Sequence, residues 1–219
     1  QIYETLLQLT LDNGWYDPTR KNATGDLCSD IRLLLLGALH TLSDNASKYA
    51  CQTHTNISAD VHRRFNLNWW RSLVTIRDNY IGMPENENDL ETVATDFNKY
   101  GLPGCCGSME VVHRGWDKCP SEFTHLFKGK EGFPTVAFQV IVTHRKKVLH
   151  VSLGYPGARN DKQIVKVDSE KSFRKDVECC FGSLKKRFKC LKARTELHSL
   201  GDIDNQFVVC CMLHNMLLK

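Results

Sequence analysis

The chain has 219 residues, 42% hydrophobic and 25% charged, a mix that supports a folded core and excludes a disordered polyelectrolyte. No apolar run reaches the ~18 residues of a membrane span; the most apolar stretch, Ile31–His40, is short and broken by Arg32, so it reads as a buried helix and no membrane partner is expected. The net charge of +4 hides an asymmetry: residues 1–110 hold 9 Lys/Arg against 14 Asp/Glu, residues 111–219 hold 20 against 11, and a basic C-terminal half suits a polyanionic partner.

Residues 1–26 read as irregular, because Asp12-Asn13-Gly14 and Asp17-Pro18 are turn signals. Residues 27–103 read as helical throughout. Ser29 or Asp30 caps a helix running through Leu42, and a second helix covers Asn45–Thr53. Ser58-Ala59-Asp60 opens a third, carrying Val61, Phe65, Trp69 and Val74. Short helices before a basic, aromatic-rich one suit either a helix-turn-helix or a plain helical cap; with no turn signature, the cap is preferred. Met83-Pro84 starts a new unit, in which Glu85–Tyr100 is an acidic amphipathic helix with Leu90, Val93 and Phe97 on one face. Gly101-Leu102-Pro103-Gly104 breaks the chain.

From residue 104 to 219 the texture is that of strands followed by helices. Cys105–Val112 is a short apolar run with one charge, Glu110. Pro134–Thr143 places Val136, Phe138, Val140 and Val142 on one side, and Lys147–Tyr155 is a third strand, with His144–Lys147 as a hairpin tip. This predicts an antiparallel meander buried on both faces, ended by a tight turn at Pro156–Asp161. Val177, Phe181, Leu184, Phe188 and Leu191 form one apolar face of a long helix; Ile203, Phe207, Cys210, His214 and Leu217 form a similar stripe on a last one. The layer plan is α+β.

Ten cysteines include three adjacent pairs and no C-x-x-C spacing, and the pairs sit in apolar runs such as Val208–Leu213. Buried free thiols in an intracellular, reduced protein are expected. The remote alternative is a secreted cysteine-rich domain, for which the sequons at Asn22, Asn45 and Asn56 speak.

Three carboxylates sit where chemistry would need them. Glu110 interrupts an apolar strand, Asp161 follows the third strand, and Glu178 lies beside the apolar stripe of the long helix, in line with Gly182 and Lys185. Carboxylates in an apolar run are rare unless paired or metal-bound. Converging on divalent metals ~3.5–4 Å apart, such a set would serve phosphodiester hydrolysis or strand transfer. His113, three residues on from Glu110, falls on the opposite strand face and reads as structural. The basic run Lys185, Lys186, Arg187, Lys189, Lys192 and Arg194 is expected on the outer side of its helix, as a solvated face or a phosphate contact.

Several segments carry a resemblance. Gly101–His113, followed by Trp116-Asp117-Lys118-Cys119-Pro120, resembles the G-x-x-G-x-x-G-S-I-D-C-x-H-x-x-W-x-x-C-P segment of PIF/Harbinger-type transposases. Gly154–Asp161 is similar to the family's G-x-x-G-S-x-N-D, Arg174–Phe188 to its R-K-D-V-E-R-A-F-G-x-L-x-x-R-F, and Leu213-His214-Asn215 to its closing L-H-N. The stretch Asp30–Trp70 is similar to the region upstream of the nuclease in some members. The resemblance implies an RNase H-like domain over residues 104–219, with a DDE-type metal site for Mg2+ or Mn2+ made by Glu110, Asp161 and Glu178. It also implies DNA cutting and joining in the nucleus, often with a Myb-like DNA-binding partner protein. Two departures stand out. The family's first aspartate is here Glu110. Twelve residues separate Asp161 from Arg174, where the family carries several tens, including an A-D-x-x-Y-P segment with another aspartate on a core strand. An impaired nuclease is therefore expected; the alternative is a non-catalytic domesticated or relic DNA- or protein-binding module.

Overall fold

A run rich in β-branched residues over 135–142, with Val136, Phe138, Val140 and Val142 on one face, makes the strand on which the molecule is assembled. In the computed structural model, which describes residues 1–21, 25, 27–159 and 174–218, strand β1 spans Ser108–Gly115, β2 Thr135–Val142, β3 Val148–Val151 and β4 Tyr155–Pro156. β2 pairs antiparallel with β1 on one side and with β3 and β4 on the other. The expected meander is thus present, and His144–Lys147 is its tip, with Lys146 in the left-handed region (φ 68°). Glu110 lies opposite Val140, Val112 opposite Phe138, and Arg114 opposite Val136. Cross-strand partners share a face, so Glu110, Val112 and Arg114 stand on the same side as Val136, Phe138, Val140 and Val142, all four of which are fully buried.

Two helices cover that face. Numbering the described helices in chain order, α7 (Arg174–Arg187) packs along β1, and α8 (Leu200–Met216) runs beneath the sheet, with Phe207 stacked on Phe138 at 4.1 Å. Every residue of α8 from Gln206 to Met216 is buried, which corrects the expected single stripe; Leu217, counted in that stripe, is exposed. A helix apolar on all sides belongs in the middle of a fold, and the N-terminal helices supply its second cover.

Those helices are α1 (Ile2–Asp12), α2 (Ile31–Asp44), α3 (Lys48–Thr55) and α4 (Ala59–Val74). Asp30, Ser47 and Ser58 cap α2, α3 and α4 through side-chain bonds to the N–H of Arg32, Ala50 and Val61. The irregular stretch expected over 1–26 is corrected by α1: its turn signals end a helix that buries Leu6, Leu7 and Thr10. Trp69 and Trp70 of α4 are buried, and the Trp69 indole N–H donates to Thr10 Oγ1 at 3.0 Å, so the aromatic face turns inward. Val61, Phe65 and Val74 only flank a buried face made by His62, Asn66, Trp69, Trp70 and Leu73. α4 packs on α8, and Arg71 grips Asp202 Oδ1 through Nε (3.0 Å) and Nη2 (2.8 Å). Leu6, Leu35, Leu42 and Leu73 share one hydrophobic cluster with the sheet.

Two further elements differ from expectation. α5 (Glu87–Asn98) buries Phe97 but leaves Leu90 42% exposed, so only its C-terminal end meets the core. The long helix expected to reach Leu191 stops at Arg187: Phe188 is extended and Lys189–Leu191 form a 3-10 turn. The chain is drawn away to the end of β1, where Thr195 N donates to Gly115 O (2.8 Å) and Asp117 N to Thr195 O (3.0 Å). A short helix α6 (Thr124–Phe127) links β1 to β2.

Candidate active site

Glu110 stands near the start of β1 on the helix-covered face, half-buried, with Oε2 shielded from solvent. His113 lies on the opposite face, as expected, its Nδ1 3.1 Å from Thr135 Oγ1. α7 runs in the same direction as β1. Its Cys180 sulfur reaches the Lys146 carbonyl (3.5 Å) at the hairpin tip, next to the Ser108 end of β1, while Phe181, Leu184 and Lys185 border Val112 and Arg114 further along. Glu178 lies two residues before Cys180 and is exposed, so its turn sits at the end of the sheet where β1 begins. Asp161 lies outside the described residues. Among the described residues, no three His, Cys, Asp or Glu side chains form a group that could hold a metal ion. A cavity of about 390 Å³ between α5 and the β2–β3 hairpin, lined by Asp78, Asp89, Asp96, Arg145 and Lys147 among others, includes neither Glu110 nor Glu178.

The end of α8 locks the hairpin that closes this end of the sheet. Asn215 Oδ1 accepts the Val148 N–H (2.8 Å), while its Nδ2 donates to the carbonyls of Tyr80 (2.8 Å) and Val148 (2.7 Å). His214 Nδ1 takes a hydrogen bond from Arg187 Nη1 (2.9 Å), which leaves the ring proton on Nε2 to donate to Lys146 O (3.0 Å). Burial lowers the His214 pKa and favours this neutral ring. Cys180 lies 3.8 Å from His214 Nε2, but burial pushes its thiol up to about 12, which leaves no thiolate for nucleophilic work. The signal for this clamp was available in the sequence: His214 and Asn215 are adjacent polar residues within an apolar helix.

The turn after β3 is fixed just as closely. A Cβ on Gly157 would fall 1.9 Å from Thr135 Oγ1, and one on Gly154 2.4 Å from Val136 Cγ1, so both glycines are required for β4 to lie against β2. The Gly154 N–H donates to Asp204 Oδ1 at 3.0 Å. Burial raises the Asp204 pKa to about 6, a perturbed carboxyl that sequence reading overlooked.

A family model described as "Plant transposon protein" matches residues 78–169 and 162–219. The chain belongs to the plant transposon protein family. No curated protein and no solved structure matches it. The matched stretches take in the whole sheet and both covering helices, and their junction falls between Asp161 and Arg174.

In this plant transposon protein the six basic residues of the 185–194 run do not share one helix face, because α7 ends at Arg187. Arg187 is half-buried against His214. Lys189 Nζ meets Asp44 at 2.9 Å. Arg194 pairs with Asp117 at 3.4 Å and covers the Phe133 ring at 3.8 Å. Lys186 and Lys192 are exposed, and Lys185 is half-buried at the rim of a small cavity beside β1.

Proposed function

We propose that this chain derives from a PIF/Harbinger-type transposase, that residues 104–219 are its RNase H-like DDE nuclease domain with a deletion after Asp161, and that nuclease activity is impaired. What carries this reading is Glu110 on the first strand of the meander, with a helix bearing Glu178 laid along that strand, in a chain whose two family-matched stretches meet over residues 162–169. Among the described residues β1 is an edge strand, which agrees with loss of a core strand from the shortened segment. Carboxylates at Glu110, Glu178 and Asp161 would be oxygen ligands of the kind that Mg2+ or Mn2+ takes, with water and phosphate oxygens as the remainder. A bound divalent ion would activate the attacking oxygen and steady the leaving one. Glutamate at 110 reaches further than aspartate by one methylene, and a misplacement of ~1 Å costs on the order of 100-fold in rate.

DNA is the proposed polyanion. Lys185, Lys186 and Lys192 are the better candidates for phosphate contact, since Arg187, Lys189 and Arg194 hold other parts of the protein. A Myb-like partner and a nuclear location belong to the same proposal. The test is cleavage of duplex DNA with Mg2+ or Mn2+. The unmodified chain should cut feebly or not at all, and Glu110→Asp should gain metal-dependent cleavage, alone or with the missing segment grafted after Asp161. Robust cleavage by the unmodified chain, abolished by Glu110→Gln, would overturn the impairment. Salt-sensitive DNA binding with no cleavage by any variant would favour the non-catalytic relic or domesticated binding module.

A further inference from the structure

Away from the carboxylates, the core holds an arrangement with its own chemistry. Arg114 points from β1 into the apolar layer and is 4% exposed. Its Nη2 donates to the Cys190 carbonyl (3.2 Å) and to Gln206 Oε1 (2.5 Å), while Nε and Nη1 are buried with no hydrogen-bond partner among the described residues. Neither of these partners carries a charge, so among the described residues the guanidinium is a buried cation held by neutral groups. Beside it, the sulfurs of Cys190 and Cys210 lie 3.8 Å apart, at 1% and 0% exposure. A cavity of about 10 Å³, bordered by Arg114, Lys185 and Leu191, has room for a single water-sized molecule.

We propose that Cys190 and Cys210 form a peroxide-reactive dithiol, oxidised to a disulfide that staples the turn after α7 to the central helix α8. Cys190 is the attacking sulfur: the hydrogen bond from the Cys210 thiol and the Arg114 charge both favour its thiolate, whereas burial holds Cys210 as the thiol. The Cys190 thiolate attacks one oxygen of hydrogen peroxide and the O–O bond breaks. Hydroxide departs and takes up the proton that Cys190 had released, giving water, and Cys190 becomes a sulfenic acid. The Cys210 sulfur then attacks Cys190; the S–S bond forms, and the sulfenic hydroxyl leaves as a second water carrying the Cys210 proton. Two thiols and one peroxide thus give one disulfide and two waters. The sulfurs must close from 3.8 Å to about 2.05 Å, a side-chain movement of less than 2 Å. Cys180 and Cys211 are also buried, but their thiols are simply pushed up by burial.

The test is differential alkylation and peptide mapping of the intact chain after graded hydrogen peroxide, with remaining thiols alkylated after unfolding. The expected product is a cross-link between the Cys190 and Cys210 peptides, two hydrogens lighter, formed while Cys211 is still recovered as a free thiol. Arg114→Met should slow cross-linking at least tenfold. Recovery of Cys190 and Cys210 as free thiols after exposed Cys179 has been oxidised would overturn the proposal, as would an Arg114→Met rate equal to that of the native chain.

Discussion

Replacing Asn215 with alanine removes one side chain and three hydrogen bonds, all to backbone groups of other elements: Val148 N–H, Val148 C=O and Tyr80 C=O. Asn215 is only 5% exposed, so water cannot readily substitute. A net contribution of about 0.5–1.5 kcal/mol per bond, with the larger penalty for a stranded donor such as the Val148 N–H, gives a loss of roughly 3–4 kcal/mol. That is a large share of the ~5–15 kcal/mol that holds a domain together. Asn215→Asp separates the terms. It keeps an acceptor for Val148 N–H but aims a carboxylate at two carbonyls, so it should be at least as damaging at neutral pH and milder in acid, where a protonated oxygen again donates. Urea unfolding followed by the fluorescence of the four tryptophans measures both variants. A loss below about 1 kcal/mol for Asn215→Ala would refute the clamp, because its three bonds would then contribute less than the lowest ordinary estimate.

Asp204 has a folded-state pKa of about 6, above its ordinary 3.8, so the fold favours its neutral form. The resulting cost is absent below about pH 4 and grows as pH rises through 6. Asp204→Asn should match the native chain near pH 4 and exceed it by about 1–2 kcal/mol at pH 7, after allowance for partial solvent access; parallel pH curves would count against burial as the cause. Gly157→Ala would press a methyl group onto Thr135 and should cost about 3 kcal/mol by overpacking; an unchanged melting temperature would show that β4 need not lie against β2. Neutralising Lys185 and Lys186 together should lower the salt slope of DNA binding by about 2 without changing stability. Arg187→Ala should instead destabilise the fold through His214, and a reduced slope at full stability would place Arg187 on the DNA.

Much of the architecture was legible because local chemistry and tertiary demand agreed. Cap residues at Ser29-Asp30 and Ser58 announced two of the helices, and the alternation of Val136, Phe138, Val140 and Val142 announced the central strand; the Ser47 cap of α3 showed only in the structure. Reading went astray where a local signal had two meanings. Asp12-Asn13-Gly14 marks a turn, but that turn ends a helix. The step from Leu184 to Phe188 to Leu191 keeps helical spacing, yet the backbone leaves the helix after Arg187 while the same three side chains remain buried. Period alone cannot distinguish these cases, since it reports which residues are apolar and not which path joins them.

The α+β order, the meander, the transposon family through ordered motifs, and Glu110 as a carboxylate in an apolar strand all follow from the residue pattern alone. Tertiary structure decided what each polar group faces. It turned Arg187 from the basic run toward His214, set His214 and Asn215 as a clamp on the hairpin, and brought Arg114 beside Cys190 and Cys210. These contacts join residues tens of positions apart. Side chains meet there because a fully buried helix, α8, has to satisfy its few polar groups against whichever strands and turns pack around it, and that neighbourhood exists only once the chain has folded.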